Sequence, residues 1–231
     1  MKKINIYLIS MTVMYLLTGC LSDLDNYDAP GGGINGKILD AETNQPVPLP
    51  VQGSTGTIIN LYELNTDATK SIDFYAKYDG SYENSQVFNG DYEIVVNGPF
   101  VSPCKGNVTV KGQTSYDLKA LPCARIHASA TVSGGIVTVQ YEVNPTSPSF
   151  EVSNVYGYWN FAPGVDDGVA NHAEKITVSE TSGEIKFDLN NSVTYKNNHY
   201  KIQANGNRIY VRIGARVDGK VNYSVILPVT V

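Results

Sequence analysis

From Ile34 to the C-terminus, apolar and polar side chains alternate in short runs. Ile34, Gly36, Ile38 and Asp40 alternate with Asn35, Lys37 and Leu39, and Tyr92, Ile94 and Val96 with Glu93, Val95 and Asn97. Val108 to Val110, Val137 to Tyr141 and Ile209 to Ile213 repeat the pattern with β-branched and aromatic residues, which suit a pleated, half-buried surface. Between these runs stand Asp79-Gly80, Asn89-Gly90, Ser133-Gly134-Gly135, Ser182-Gly183 and Asp218-Gly219, pairs that supply the positive φ of tight hairpins. After the N-terminal segment, no stretch keeps an apolar i, i+3, i+4, i+7 pattern for three turns. The prediction is an all-β protein. Residues 33–121 and 124–231 each hold about seven strand candidates, the size of one sandwich, so two β-sandwich domains in tandem are expected. Leu121-Pro122-Cys123-Ala124 leaves little room for a linker, and the two domains are expected to touch.

The N-terminus differs from the rest. Met1-Lys2-Lys3 precedes an apolar run from Ile4 to Leu17, the charged and apolar regions of a secretory signal. A spanning helix needs about 20 apolar residues, and this run is shorter. Leu17-Thr18-Gly19-Cys20 resembles the bacterial lipobox, which implies cleavage after Gly19 and lipidation of the Cys20 thiol. Residues 1–19 are then the signal peptide and residues 20–32 a lipidated tether. Asp23, Asp25 and Asp28 resemble the acidic export signal of Bacteroidetes surface lipoproteins, while Pro30-Gly31-Gly32-Gly33 reads as flexible chain. The address is the outer membrane, lipid-anchored and exposed at the cell surface.

Export changes the charge and the cysteine chemistry. Removing the signal takes away two lysines and no acid, moving the net charge from −5 to −7. With no basic stripe, nucleic acid is excluded as a partner. Cys104 and Cys123 remain, and outside the cytoplasm a remaining pair is most simply a disulfide. A four-residue hairpin loop at Gly112 to Ser115 would set Cys104 opposite Cys123. Two free buried thiols are the alternative.

The first domain carries a recognisable order of motifs. Gly33 to Asp40 leads into Thr43-Asn44-Gln45-Pro46-Val47-Pro48, then Ile58 to Glu63, Tyr78-Asp79-Gly80-Ser81-Tyr82 and Asn89 to Val96. This resembles the carboxypeptidase-regulatory-like, transthyretin-like sandwich. On that pattern Asp79-Gly80 turns the chain, Tyr82 enters the core and Gly90 opens the strand in which Tyr92 packs inward. The sequence departs from the pattern at Leu49 to Thr57, where Gly, Ser and Thr intervene before the next strand and an exposed loop is expected. With the lipobox, Asn97-Gly98-Pro99-Phe100 and the crossing Leu121 to Ile126 into an immunoglobulin-like half, the whole chain resembles a Bacteroidetes family of two-domain surface lipoproteins whose defining domain has no assigned function. The resemblance implies an accessory role in glycan capture beside a TonB-dependent transporter and its starch-binding-type lipoprotein partner.

Candidate chemistry is sparse. His127, His172 and His199 show no metal-ligand spacing, and neither a nucleophile elbow nor a phosphate loop is present. No cofactor or metal is expected. Asp166-Asp167-Gly168 lacks the later ligands of a calcium loop and reads as a turn. Sixteen tyrosines against one tryptophan and six phenylalanines are the compositional oddity. In Val155 to Phe161, alternation puts Val155, Trp159 and Phe161 on one face and Tyr156, Tyr158 and Asn160 on the other. Immunoglobulin-like sandwiches bury a Trp in this strand, so Trp159 is assigned to the core and Tyr156 and Tyr158 point away from it. They form either cross-strand packing or a shallow glycan platform, joined by Tyr195 and Tyr200 from a polar loop. The leading expectation is a non-catalytic lipoprotein that assists glycan binding. The alternatives are a structural or adhesive module and, where acids converge across a cleft, a glycoside hydrolase. Cys20→Ala is expected to abolish acylation and membrane fractionation, which metabolic labelling with a fatty-acid analogue and membrane flotation will show.

Overall fold

The computed structural model describes residues 29–53 and 55–231; the signal segment, Cys20 and the tether aspartates lie outside the described residues. The N-terminal unit runs β1 (Gly32–Asp40), β2 (Ile58–Glu63), β3 (Ile72–Tyr75), β4 (Ser81–Val87), β5 (Gly90–Asn97), β6 (Cys104–Val110), β7 (Gln113–Ser115) and β8 (Leu118–Ala120). One sheet has the order β4-β1-β7, with β8 continuing beside β1 after β7; the other is β3-β2-β5-β6. Period-two alternation sends Ile34 and Ile38, Ile59 and Leu61, and Tyr92, Ile94 and Val96 into one shared core, which Tyr82 and Val87 also enter across a register shift between β1 and β4. Tyr82 and Tyr92 enter it as expected. Each buried hydroxyl finds a carbonyl, Tyr92 donating to Phe88 O at 2.8 Å and Tyr82 to Tyr116 O, so neither ring brings an unpaired donor inside.

The C-terminal unit runs β9 (Ala124–Ser133), β10 (Ile136–Pro145), β11 (Val152–Asn160), β12 (Glu174–Val178), β13 (Ser182–Asp188), α1 (Val193–Ala204), β14 (Arg208–Val217), β15 (Lys220–Tyr223) and β16 (Leu227–Thr230). Its sheets are β13-β10-β9 and β12-β11-β14-β15, with β16 also on β14. Trp159 is fully buried between them, its indole N–H donating to Glu174 Oε2 at 3.0 Å. Two of the glycine pairs close two-residue hairpins: Gly134 and Gly135 (φ 57° and 78°) join β9 to β10, and Asp218 and Gly219 (φ 48° and 77°) join β14 to β15. Asn89-Gly90 and Ser182-Gly183 do not. The first lies where the chain leaves β4 in one sheet for β5 in the other, and Gly183 pairs with Tyr141 inside β13.

The protein is mostly β, but one helix corrects the all-β expectation. Residues placed in a polar loop, Tyr195 to Tyr200, lie in α1. Ser192 caps it, its Oγ accepting the Tyr195 amide at 2.9 Å, and the chain leaves through Gly206 (φ 70°) with the Asn207 amide returning to Ile202 O at 2.9 Å. Only Ile202 is fully buried along the helix, so the apolar stripe that marks most helices is nearly missing.

The proposed Cys104–Cys123 hairpin is also corrected. β6 does not turn back on itself after Gly112. The chain crosses to the opposite sheet, where β7 and β8 run parallel to β1 through Gly33↔Gln113 and Ile38↔Leu118. Cys104 therefore sits in the first core, its thiol donating to Lys119 O at 3.1 Å, and Cys123 sits in the second. Both are free and buried. Burial pushes the Cys104 thiol up to about 11 and raises that of Cys123, which keeps both in the unreactive protonated form. We expect both cysteines to resist maleimide in the folded protein and to react after denaturation. A Cys104–Cys123 cross-linked peptide in a non-reducing digest would contradict the arrangement.

Candidate functional site

The four candidate tyrosines do not share a surface. In β11, Val155 and Trp159 face the second core, and Tyr156 and Tyr158 face the other way, as alternation requires. That outer face is not in solvent. Tyr156 and Tyr158 are buried with Val165 and Tyr223 in a separate apolar cluster. The Tyr158 ring lies 5.6 Å from His172 and 6.5 Å from Tyr223, and its hydroxyl donates to Asp167 Oδ1 at 3.1 Å. The Lys175 ammonium stands 4.0 Å over the Tyr156 ring, where a sugar would have to stack. Gly214, directly across from Tyr156, makes this packing possible: a Cβ there would come within 3.0 Å of Tyr158 and 3.2 Å of Tyr223. On the opposite side of the sheet Tyr195 packs edge-on to Trp159, while Tyr200 is 65% exposed on α1. The four-tyrosine platform is therefore replaced by a buried pair, a half-buried ring and one exposed ring.

Tyr156 and Tyr158 are covered from within their own unit, by Val165, Asp167, His172, Lys175 and Tyr223, and beside this cluster lies the junction between the two units. Arg212 of β14 is completely buried, and no carboxylate is hydrogen-bonded to it. Its guanidinium donates to backbone carbonyls: Ser224 at 2.8 Å and Val165 at 2.9 Å in its own unit, Leu49 at 2.8 Å and Tyr78 at 3.5 Å in the other. Its plane stacks 4.5 Å from the Tyr223 centroid. Burial lowers its pKa to about 10, so it stays charged at neutral pH. Asp166 is the converse anion. Also fully buried, it accepts from Val51 N (2.7 Å), Thr55 Oγ1 (2.8 Å), Gly168 N (2.8 Å) and Asn171 Nδ2 (2.8 Å). Protein donors occupy both of its oxygens, which accounts for the acidic turn. The Leu49 to Thr57 segment, expected as an exposed loop, is thus a docking element with Leu49 and Thr57 buried.

A second clamp closes the other side. Arg125 donates to Asp40 through Nε (2.6 Å) and Nη2 (3.0 Å) and to Glu42 at 2.6 Å. Burial alone would raise the Asp40 carboxyl, but Arg125 and the amides of Glu42 and Thr43 together hold it below the ordinary range. Lys220 adds a bond to Phe100 O at 2.5 Å.

Between these fastenings lie two clefts, each walled by both units. One, about 300 Å³, is mainly apolar, with Pro46, Val47 and Pro48 facing Ala124, Ile126 and Val225. Its charged rim, Asp40 with Arg125, is already paired. The other, about 450 Å³, is the more polar of the two: Thr55, Thr57 and Asn97 face Asp167, Arg216 and Lys220, with Pro50, Pro99 and Val221 between them. Tyr75, 40% exposed, is not part of the lining but packs so closely on its Gly56 that a Cβ there would come within 2.9 Å of the Tyr75 Cδ1. This second cleft has the volume of a small saccharide, hydrogen-bonding side chains on both walls and an exposed aromatic ring beside it.

Comparison with known proteins follows the same division. Residues 32–121 match the N-terminal domain of the DUF3823 family of proteins of unknown function, and residues 125–228 its C-terminal domain, likewise of unknown function. The chain belongs to the DUF3823 family. No curated protein matches it. Among solved structures, a DUF3823 protein from Parabacteroides merdae is 21% identical, with a TM-score of 0.73 over 88% of this chain and 100% of that one. One from Bacteroides ovatus is 20% identical, TM-score 0.69, over 86% and 98%. A protein from Bacteroides uniformis named as a candidate carbohydrate-binding protein is 20% identical, TM-score 0.68, over 87% and 100%. At these identities the likeness establishes the fold.

For this DUF3823 protein, sequence reasoning missed the site because its walls are roughly 70 to 170 residues apart and no local motif joins them. Arg212 sits in an ordinary alternating run, and only the unusual length of the Leu49 to Thr57 segment signalled a special role. Arg212→Met is expected to leave the buried carbonyls of Ser224, Val165 and Leu49 short of a donor, while Tyr78 O keeps the Leu49 amide, and to cost about 3 kcal/mol. For a protein of this size that lowers the melting temperature by roughly 6–12 °C. Calorimetry measures the loss, and hydrogen exchange should show it first at the Leu49 to Thr57 amides.

Proposed function

We propose that this DUF3823 protein is a non-catalytic surface lipoprotein that binds glycan at the polar cleft between its transthyretin-like and immunoglobulin-like domains. In this reading Cys20 carries the lipid anchor in the outer membrane, and the protein serves a TonB-dependent transporter and its starch-binding-type partner. The observation that carries it is the cleft itself: hydroxyl, amide and charged groups from both domains, with the exposed ring of Tyr75 packed against its Gly56. A sugar ring lays its C–H face on an aromatic plane while its hydroxyls exchange water for side-chain partners. The name of the Bacteroides uniformis relative points the same way. A binding rather than hydrolytic role is supported by the acids. Asp167 is the one carboxylate lining the polar cleft and is paired with Lys175, and Asp40 is the one lining the apolar cleft and is paired with Arg125. Hydrolysis of a glycosidic bond needs two facing carboxyl groups.

Isothermal titration of the mature protein against a panel of neutral and charged oligosaccharides tests the reading. Binding by wild type, weakened about tenfold in Tyr75→Ala by loss of the stacking face, is expected. Tyr200→Ala, exposed on α1 away from the cleft, should bind as wild type does. If no oligosaccharide of the panel binds wild type, the protein moves to the structural or adhesive class.

A further inference from the structure

The polar cleft carries more positive than negative charge, in a chain whose net charge is −5. Arg216 and Lys220 line it, and Lys175 stands at its edge beside Asp167. Asp167 is the only carboxylate among the lining residues, and it is already held by three other groups: the Lys175 ammonium, the Tyr158 hydroxyl and, at 4.0 Å, Arg216 Nη2. Arg216 is aimed by neutral groups, its Nε donating to Tyr156 Oη at 3.4 Å and Nη1 to Gly219 O at 3.2 Å. Lys220 rests on a carbonyl, Phe100 O, and makes no ion pair among the described residues. Arg125 receives two carboxylates, and Lys77, Lys105 and Lys186 one each. Arg216 shares the single carboxylate of Asp167 with Lys175 at the long distance of 4.0 Å, and Lys220 is held by a carbonyl alone. Two cations facing a shared cavity thus leave positive charge for a ligand to neutralise.

We propose that the cleft selects saccharides bearing an oxyanion, a uronate carboxylate or a sulfate ester, with Arg216 and Lys220 as its recognition residues. The proposal deepens the glycan-binding reading above and rests on it. A guanidinium fixed in direction matches a carboxylate or sulfate with two parallel donors, and an ammonium nearby adds charge without restricting geometry. On the opposite wall the Thr55 hydroxyl is spent on Asp166 and Thr57 is buried, so exposed Asn97 is the side chain left for sugar hydroxyls, and Tyr75 for the ring face. A neutral sugar of the same size makes the hydroxyl contacts but leaves both cations short of a counter-charge.

The test compares three oligosaccharide sets of equal length on the mature protein: neutral xylo-oligosaccharides, oligogalacturonides and sulfated chondroitin fragments. Titrations run at two salt concentrations. At least one anionic set is expected to bind about tenfold more tightly than the neutral set, with affinity falling as salt rises. The arm that binds names the anion. Arg216→Gln and Lys220→Gln should each remove most of that preference while leaving the weaker neutral binding in place, and Lys220→Arg should restore it. Lys186→Gln, on an exposed strand of the other sheet, serves as the control and should change nothing. Neutral and anionic sets binding alike, independent of salt, would overturn the charge selection and leave the glycan reading standing. Equal loss from Lys186→Gln would also overturn it, by showing general attraction to surface charge. Silence from all three sets would remove both readings.

Discussion

A guanidinium withdrawn from water and held on backbone carbonyls of two separately folded units is the constraint on which the rest depends. Arg212 reaches out of β14 to Leu49 O and Tyr78 O while staying anchored to Ser224 O and Val165 O. Carbonyls are fixed by the backbone, so the bonds form in one relative placement of the units and no other. Asp166 repeats the logic with opposite sign, drawing Val51 N and Thr55 Oγ1 onto its carboxylate. The two ions do not hydrogen-bond to each other; each is solvated by dipoles of the neighbouring chain. Removing such partners leaves buried polar groups bare, which costs more than the bonds contribute when made. The arrangement therefore acts more as a lock on geometry than as a source of net stability.

Several consequences radiate from that lock. The outer face of β11 becomes interior because the second unit brings its loop 163–171 against it, and the first unit's 49–57 segment docks on that loop. Tyr158 and Tyr223 can then stack without exposure, provided Gly214 stays without a side chain. Arg125 with Asp40 and Glu42 closes the other side. The clefts are the spaces left between these fastenings, and their walls are as rigid as the fastenings are.

The local physics was legible in the sequence, and the covering of faces was not. Alternation put Trp159 inside, separated Tyr156 and Tyr158 from it, and sent Tyr82 and Tyr92 into the first core. It cannot say whether the opposite face meets water, because that depends on chain outside the strand, here Val165, Asp167, His172 and Tyr223. The cysteine pairing failed for a related reason. Hairpin arithmetic assumes that successive strands pair, whereas the chain after Val110 changes sheets and pairs in parallel with β1. The helix was hidden by a nearly uniform polar surface, yet Ser192 before it and Asn205-Gly206-Asn207 after it were readable as caps. The departure from the transthyretin-like pattern at Leu49 to Thr57 was the most informative signal of the docking. An insertion in a repeatedly used fold is where a new contact is most easily made without disturbing the core, and this one became the surface that grips the second domain.

A cleft built this way couples ligand to architecture. Thr55, Thr57 and Asn97 belong to one domain and Asp167, Arg216 and Lys220 to the other. A ligand touching both walls is bound only while the docking holds, and by linkage its binding must stabilise the docked state in the same measure. Had the domains been joined by a loose tether, part of each binding event would go into fixing their orientation, and affinity would fall by the fraction of time spent undocked. The buried ions remove that loss in advance. Their poor return as stabilisers is consistent with this division of labour: Arg212 and Asp166 fix where the walls stand, and the half-exposed Arg216 and Lys220, with only a shared Asp167 at 4.0 Å from Arg216, are free to act on what enters between them.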